Sequence, residues 1–155
     1  EEIVWEWRPG VEVHCARAAP PPGVERKDVA VVLLHGFGVA SFHYEEQLSA
    51  FSSAGYVVYA MDNVGAGLSW PAQDPSPGGP AELASVPGAE WGFGDEVRPG
   101  YEDLVIGEQL WVQQVLALLK EKVKESKVYV CGNSLGGYLA VLAAAAREPG
   151  AHIDG

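Results

Sequence analysis

The stretch from Val128 to Leu142 constrains this chain more than any other. Val128-Tyr129-Val130-Cys131 is apolar and β-branched, Gly132-Asn133-Ser134-Leu135-Gly136-Gly137 follows, and Tyr138-Leu139-Ala140-Val141-Leu142 opens an alanine-rich run. This reads as a buried strand, a sharp turn and a helix. Gly132, Ser134 and Gly136 set a G-x-S-x-G frame. A serine in so tight a turn takes a strained backbone conformation, and side chains two residues to either side would collide with it. The hydroxyl then stands clear at the C-terminal end of the sheet, where the next helix directs its first N–H groups. The glycine frame alone occurs in ordinary turns. The strand before it and the helix after it select the reading of a nucleophilic Ser134 on an elbow.

With 155 residues, 48% hydrophobic and 20% charged, the chain is long enough for one domain with a core. The net charge of -11 opposes binding to nucleic acid or to an anionic membrane surface and favours solubility. No apolar run approaches the length of a membrane span, and other membrane contact is left undecided. No signal or transit peptide is visible at the start. Cys15 and Cys131 offer neither a disulfide framework nor a metal spacing, which fits a reducing interior. No metal or cofactor is expected. Cys131, beside the elbow, is expected to be a buried thiol.

Taken in order, residues 3–7 and 11–18 predict a hairpin turning at Pro9-Gly10. His14 falls on its polar side and is expected at the surface. Residues 29–34 form a continuous apolar run, suited to a strand buried on both faces of a parallel sheet. It ends in His35-Gly36-Phe37-Gly38, where Gly36 lets backbone approach a ligand closely. The Phe37 N–H is the expected second donor to an oxyanion, with the Leu135 N–H the first. His35 is expected to orient this loop rather than to catalyse.

Ser41 is expected to cap a helix reaching about residue 53, with Tyr44, Leu48 and Phe51 on one face. His43, near its start, is placed at the site mouth. Gly55 ends it, and 56–61 is a second buried strand. Residues 62–69 lack a phosphate-loop frame and read as a turn over the top of the sheet. Residues 70–102 are rich in proline and glycine and predict a long loop, in which Trp91 and Phe93 form a contact surface above the serine. An amphipathic helix is predicted over 103–124, its stripe made by Trp111, Val112, Val115, Leu116, Leu119 and Val123. The elbow strand, 127–131, and a helix to Arg147 follow. Ile153 is positioned to open a further strand.

With these motifs in order, the chain resembles the N-terminal half of α/β-hydrolase-fold enzymes, and within them the pheophytinases, plastid enzymes that remove phytol from pheophytin. The resemblance covers most of the chain. It rests on Trp5-Glu6-Trp7 with Val13-His14, on Gly36-Phe37-Gly38-Val39 with Ser41-Phe42-His43-Tyr44-Glu45, and on Asp62 with Gly65, Gly67 and Ser69. It rests also on Trp91-Gly92-Phe93-Gly94-Asp95, on Leu110-Trp111 with Gln114, and on Gly132 to Tyr138. The elbow marks only the superfamily; the Gly-Phe-Gly-Val and Trp-Gly-Phe-Gly-Asp stretches are more specific.

The resemblance implies one mostly parallel α/β domain, of which residues 1–155 are the N-terminal part. It implies ester hydrolysis through an acyl-enzyme, a small-molecule ester substrate such as pheophytin, and a chloroplast location. It also implies the strand order hairpin, 56–61, 29–34, elbow strand, which leaves the elbow strand at an edge. After Ser134 the only histidine is His152, followed by Asp154, the reverse of the order that this fold uses, so the acid and histidine are expected beyond Gly155. Two other readings stay open: a hydrolase of another ester or lipid, and a non-catalytic binding protein on the same fold.

Overall fold

The structure is a computed structural model that describes residues 1–69, 96–98 and 101–155. Its strands are β1 (Glu2–Arg8), β2 (Val11–Ala18), β3 (Val29–Leu34), β4 (Val57–Met61), β5 (Glu96–Arg98), β6 (Tyr101–Ile106) and β7 (Lys127–Gly132). Its helices are α1 (Glu45–Ser53), α2 (Glu108–Glu121) and α3 (Leu135–Ala146), with a 3-10 turn at Ser41–Tyr44 before α1.

Five strands make one mixed sheet in the order β1-β2-β4-β3-β7. The β1–β2 hairpin is antiparallel, and β2 runs antiparallel to β4 with Cys15 opposite Met61. β3 is parallel to both neighbours, with Val31 opposite Val58 and Val32 opposite Val130. The apolar runs predicted at 29–34 and 56–61 therefore lie inside the sheet, where both faces need covering. β5 and β6 pair separately as a small antiparallel ribbon.

The sheet is covered unequally. On one face Val32, Leu34, Tyr59, Met61, Val128 and Val130 pack with Trp111, Val115, Leu118 and Leu119 of α2 and Leu139 and Ala143 of α3. On the other, Val31, Leu33, Val58 and Ala60 pack with Tyr44 and with Leu48 of α1. This smaller cluster stops at β3, so residues of β7 that point that way meet less protein. Cys131 is exposed for this reason, not buried as expected: Val128 and Val130 face the α2–α3 layer, while Tyr129 and Cys131 alternate outward.

Four expectations about the elements also differ from the structure. Ser41 does not cap α1; it lies in the 3-10 turn after Ala40, and its N–H donates to the buried Asp62 Oδ1 at 2.6 Å. The helix predicted from 103 begins at Glu108, because 101–106 takes the extended form its β-branched Val105 and Ile106 favour. The predicted loop 70–102 thus ends in strand β5 and the start of β6. Residues 148–155 form no regular strand, although the Asp154 N–H donates to the Val128 carbonyl and the Gly155 carbonyl accepts from Val130.

Candidate active site

Ser134 stands between β7 and α3 with φ 54° and ψ -119°. A residue with a Cβ pays for positive φ, so something must hold it there. The glycines are what allow it. A Cβ on Gly132 would come within 2.1 Å of the Gly136 carbonyl carbon, and one on Gly136 within 1.8 Å of the Leu34 carbonyl oxygen. No side chain fits at either position. Ser134 is exposed, at the C-terminal end of β7 and the N-terminus of α3.

The loop after β3 lies against this turn. A Cβ on Gly36 would stand 3.2 Å from the Asn133 carbonyl oxygen and 3.4 Å from Ser134 Cβ. Leu34 braces the turn from below: its carbonyl accepts from the Asn133 N–H at 3.3 Å and from the Tyr44 hydroxyl at 2.8 Å. Burial pushes the Tyr44 phenol up, so the hydroxyl stays a donor. Gly36, Gly132, Ser134, Leu135 and Gly136 are thus brought together, with Phe37 next to Gly36 in the chain. The Phe37 side chain is exposed.

The histidines have different surroundings. His35 is 2% exposed, its Nδ1 lies 2.7 Å from the Gly36 carbonyl oxygen, and its Nε2 accepts from the Asn63 N–H at 3.0 Å. His43 is exposed on the 3-10 turn, its ring edge-on to Tyr44 at 5.4 Å. His152 lies 3.1 Å from Asp154, whose carboxylate accepts from the Val128 N–H. Val128 is near the start of β7, four residues before Gly132, so at about 3.3 Å per residue this pair sits roughly 13 Å below the turn.

His14, expected at the surface, is buried. Its Nδ1 lies 2.8 Å from Asp62 Oδ2, and its Nε2 pairs with Glu2. The reason is that β2 lies between β1 and β4, so His14 meets the carboxylate that ends β4. Asp62 also accepts from the N–H groups of Ser41 and Leu68, and a Cβ on Gly67 would stand 2.2 Å from Asp62 Oδ2. This carboxylate gathers β2, the 3-10 turn and the 62–69 loop at the top of the sheet.

From the opposite face α2 holds the same loop. Trp111 Nε1 donates to the Val64 carbonyl at 2.8 Å, Gln114 Oε1 accepts from the Val64 N–H at 2.9 Å, and Gln114 Nε2 donates to the Asp62 carbonyl at 2.7 Å. Sequence reasoning assigned no role to Asp62 or Gln114 in the site. A glutamine between Trp111 and Val115 on an apolar stripe was the available signal, because a buried amide needs partners. Trp91 and Phe93 lie outside the described residues.

Comparison with known proteins agrees with this geometry. The alpha/beta hydrolase family matches residues 31–154. The chain is 43% identical over 143 residues to the chloroplastic pheophytinase of Arabidopsis thaliana, covering 90% of this chain and 28% of that protein. It is 37% identical over 60 residues to epoxide hydrolase B of Mycobacterium tuberculosis, covering 39% of this chain and 16% of that protein. It therefore spans well under half the length of these relatives. Among solved structures, a thioesterase domain from the curacin biosynthetic pathway superposes with TM-score 0.64 at 18% identity, over 95% of this chain and 42% of that one. An epoxide hydrolase from Vigna radiata superposes with TM-score 0.60 at 19% identity, over 95% and 34%. A glycine-framed serine at a positive φ, on a sheet of this order and with this sequence match, means that the chain belongs to the alpha/beta hydrolase family.

Proposed function

We propose that the protein carrying this chain is a serine carboxylic-ester hydrolase of pheophytinase type, which releases phytol from pheophytin in the chloroplast during chlorophyll breakdown. The observation that carries the reaction class is Ser134, held at φ 54° between two glycines that nothing larger could replace. The substrate and compartment rest on the 43% identity to a chloroplastic pheophytinase.

In this reading Ser134 Oγ attacks the ester carbonyl while a histidine takes its proton. The Leu135 and Phe37 N–H groups receive the negative charge on the carbonyl oxygen, each donor contributing about 3–4 kcal/mol to the transition state. The alcohol leaves with a proton, and water then releases the acid from the acyl-enzyme. His14 and His35 have both ring nitrogens engaged, and His152 is at the other end of β7. His43 remains, exposed on the 3-10 turn, but the order serine, acid, histidine that this fold uses assigns the proton acceptor and its orienting acid to positions after Ser134 in the whole protein. His43, Trp91 and Phe93 are assigned to the mouth, where they would contact substrate.

The test is phytol release from pheophytin by the full-length protein and by its Ser134→Ala variant. The expected result is turnover in the parent and a loss of roughly a millionfold in the variant. Turnover of a short-chain ester but not of pheophytin would move the assignment to another ester or lipid. Tight pheophytin binding with no ester turnover would make this a binding protein, and full activity in the variant would remove Ser134 from the mechanism.

A further inference from the structure

We infer that His35 is a positioning residue for the oxyanion donor at Phe37, acting through the Gly36 carbonyl. The inference rests on the serine-esterase reading above and adds to it the device that aims one of the two donors.

The argument begins with the ring's two partners. The Asn63 N–H can only donate, so the Nε2 it reaches at 3.0 Å carries no proton. The ring proton is then on Nδ1, where it is given to the Gly36 carbonyl oxygen at 2.7 Å. Both nitrogens are spent, and the ring is buried. His35 has nothing left with which to accept a proton from Ser134, but it holds a peptide plane.

That plane joins Gly36 to Phe37. The peptide is trans, as no cis bond occurs among the described residues. In a trans peptide the carbonyl and the following N–H share a plane and point in opposite directions. Drawing the Gly36 oxygen toward the buried ring therefore turns the Phe37 N–H away from it. The same glycine lies against Asn133 and Ser134, so the plane being held is the one beside the nucleophile turn. A glycine on its own would leave this plane free to rotate. Oxyanion donors contribute by being fixed before the charge develops, so a fixed plane has catalytic value that a mobile one lacks.

Asn63 gives the ring its second anchor. It follows directly on Asp62, whose carboxylate is bonded to Ser41, Leu68 and His14. The imidazole thus ties the oxyanion peptide to the residue next to the Asp62 carboxylate, which gathers β2, the 3-10 turn and the 62–69 loop.

The experiment uses the full-length protein with an activated 4-nitrophenyl ester and a trifluoromethyl ketone, which becomes a bound oxyanion on addition of the serine. In His35→Ala, kcat should fall by about 10–100-fold with KM within twofold. Ketone affinity should weaken in step with kcat/KM, and the acid limb of the pH–rate profile should keep its position. His35→Asn places an amide N–H close to where Nδ1 stands, and should recover most of the loss in both readouts. If His35→Ala does not fold, His35→Asn and His35→Leu are compared in the same two assays, with Leu expected to show the loss. Unchanged kcat and unchanged ketone affinity in a folded Ala or Leu variant would overturn the inference. A kcat loss with unchanged ketone affinity would overturn it too, because the defect would lie elsewhere. Ester turnover that survives Ser134→Ala would instead fail the serine-esterase reading, and this assignment with it.

Discussion

Ser134 carries its Cβ in the positive-φ region at the turn between β7 and α3. A side chain with a Cβ at φ 54° and ψ -119° costs about 1–3 kcal/mol, whereas the extra unfolded-state entropy of glycine costs only about 0.5–1 kcal/mol. Strain is the larger effect. Ser134→Gly is therefore expected to raise the stability of the full-length protein by about 1 kcal/mol while ending ester turnover. Ser134→Ala keeps the Cβ and should show no such gain. Urea unfolding of the three proteins decides this, and equal midpoints for the glycine and alanine variants would mean that the elbow stores no strain.

At the level of elements, the top and the bottom of the sheet are held by different chemistry. At the top, Gln114 of α2 satisfies one donor and one acceptor of the 62–69 loop, all in buried surroundings. Gln114→Leu would leave the Val64 N–H without its partner, at about 1–3 kcal/mol, while the Asp62 carbonyl keeps the Ser69 hydroxyl as a donor. A thermal melt should show that loss; a midpoint within a degree of the parent would show that water replaces the amide. At the bottom, the Val128 N–H, and after it His152, hold the Asp154 carboxyl below its ordinary 3.8. The Ser126 hydroxyl and N–H lower Asp28 in the same way. A lowered carboxyl favours the folded state when charged. Its contribution is complete above the ordinary value and disappears as pH falls through the folded one. The protection of the Val128 amide against hydrogen exchange should thus drop as pH falls below 3.8, and less steeply in Asp154→Asn. Equal slopes would detach this end of β7 from Asp154.

For the whole molecule, the uneven covering of the sheet is what matters. Among the described residues β7 is at an edge of the sheet, and Tyr129 and Cys131 face outward from it. α3 carries no charged residue, yet Tyr138 and Val141 are 49% and 67% exposed. A helix apolar all round is normally buried, and an apolar strand edge held only at Val128 and Val130, by residues 154–155, is open to a competing strand. Residues 1–155 expressed alone are therefore expected to self-associate, to melt without a sharp transition and to hydrolyse no ester. Size-exclusion chromatography and calorimetry measure the first two. A monomer with a cooperative melt would refute the stability claim, and Ser134-dependent hydrolysis by this piece would mean that it holds a base, with His43 the first to mutate.

What could be read from residues alone was whatever depends on near neighbours. The apolar runs at β3 and β4, the Pro9-Gly10 hairpin and the strand–turn–helix around Ser134 are local patterns: a continuous apolar stretch, an alternation of period two, or a glycine at a forced position. The order of the five strands came from the family resemblance that those patterns supported. The boundary at Glu108 was already less legible, because Val105 and Ile106 suit either a strand or an apolar helical stripe. The polar framework of the site was not legible at all. His14 and Asp62 are 48 residues apart, and Asp62 and Gln114 are 52 apart. Each is an ordinary polar residue until the sheet order sets β2 beside β4 and packs α2 across them. Cys131 shows the same division in one residue. Its alternation with Val130 is in the sequence, but whether the face it points to is covered depends on how far the smaller apolar cluster reaches across the sheet, and among the described residues it reaches only to β3. Local sterics and periodicity act over a few residues and can be read one segment at a time, whereas burial and hydrogen-bond partnership are properties of the assembled layers.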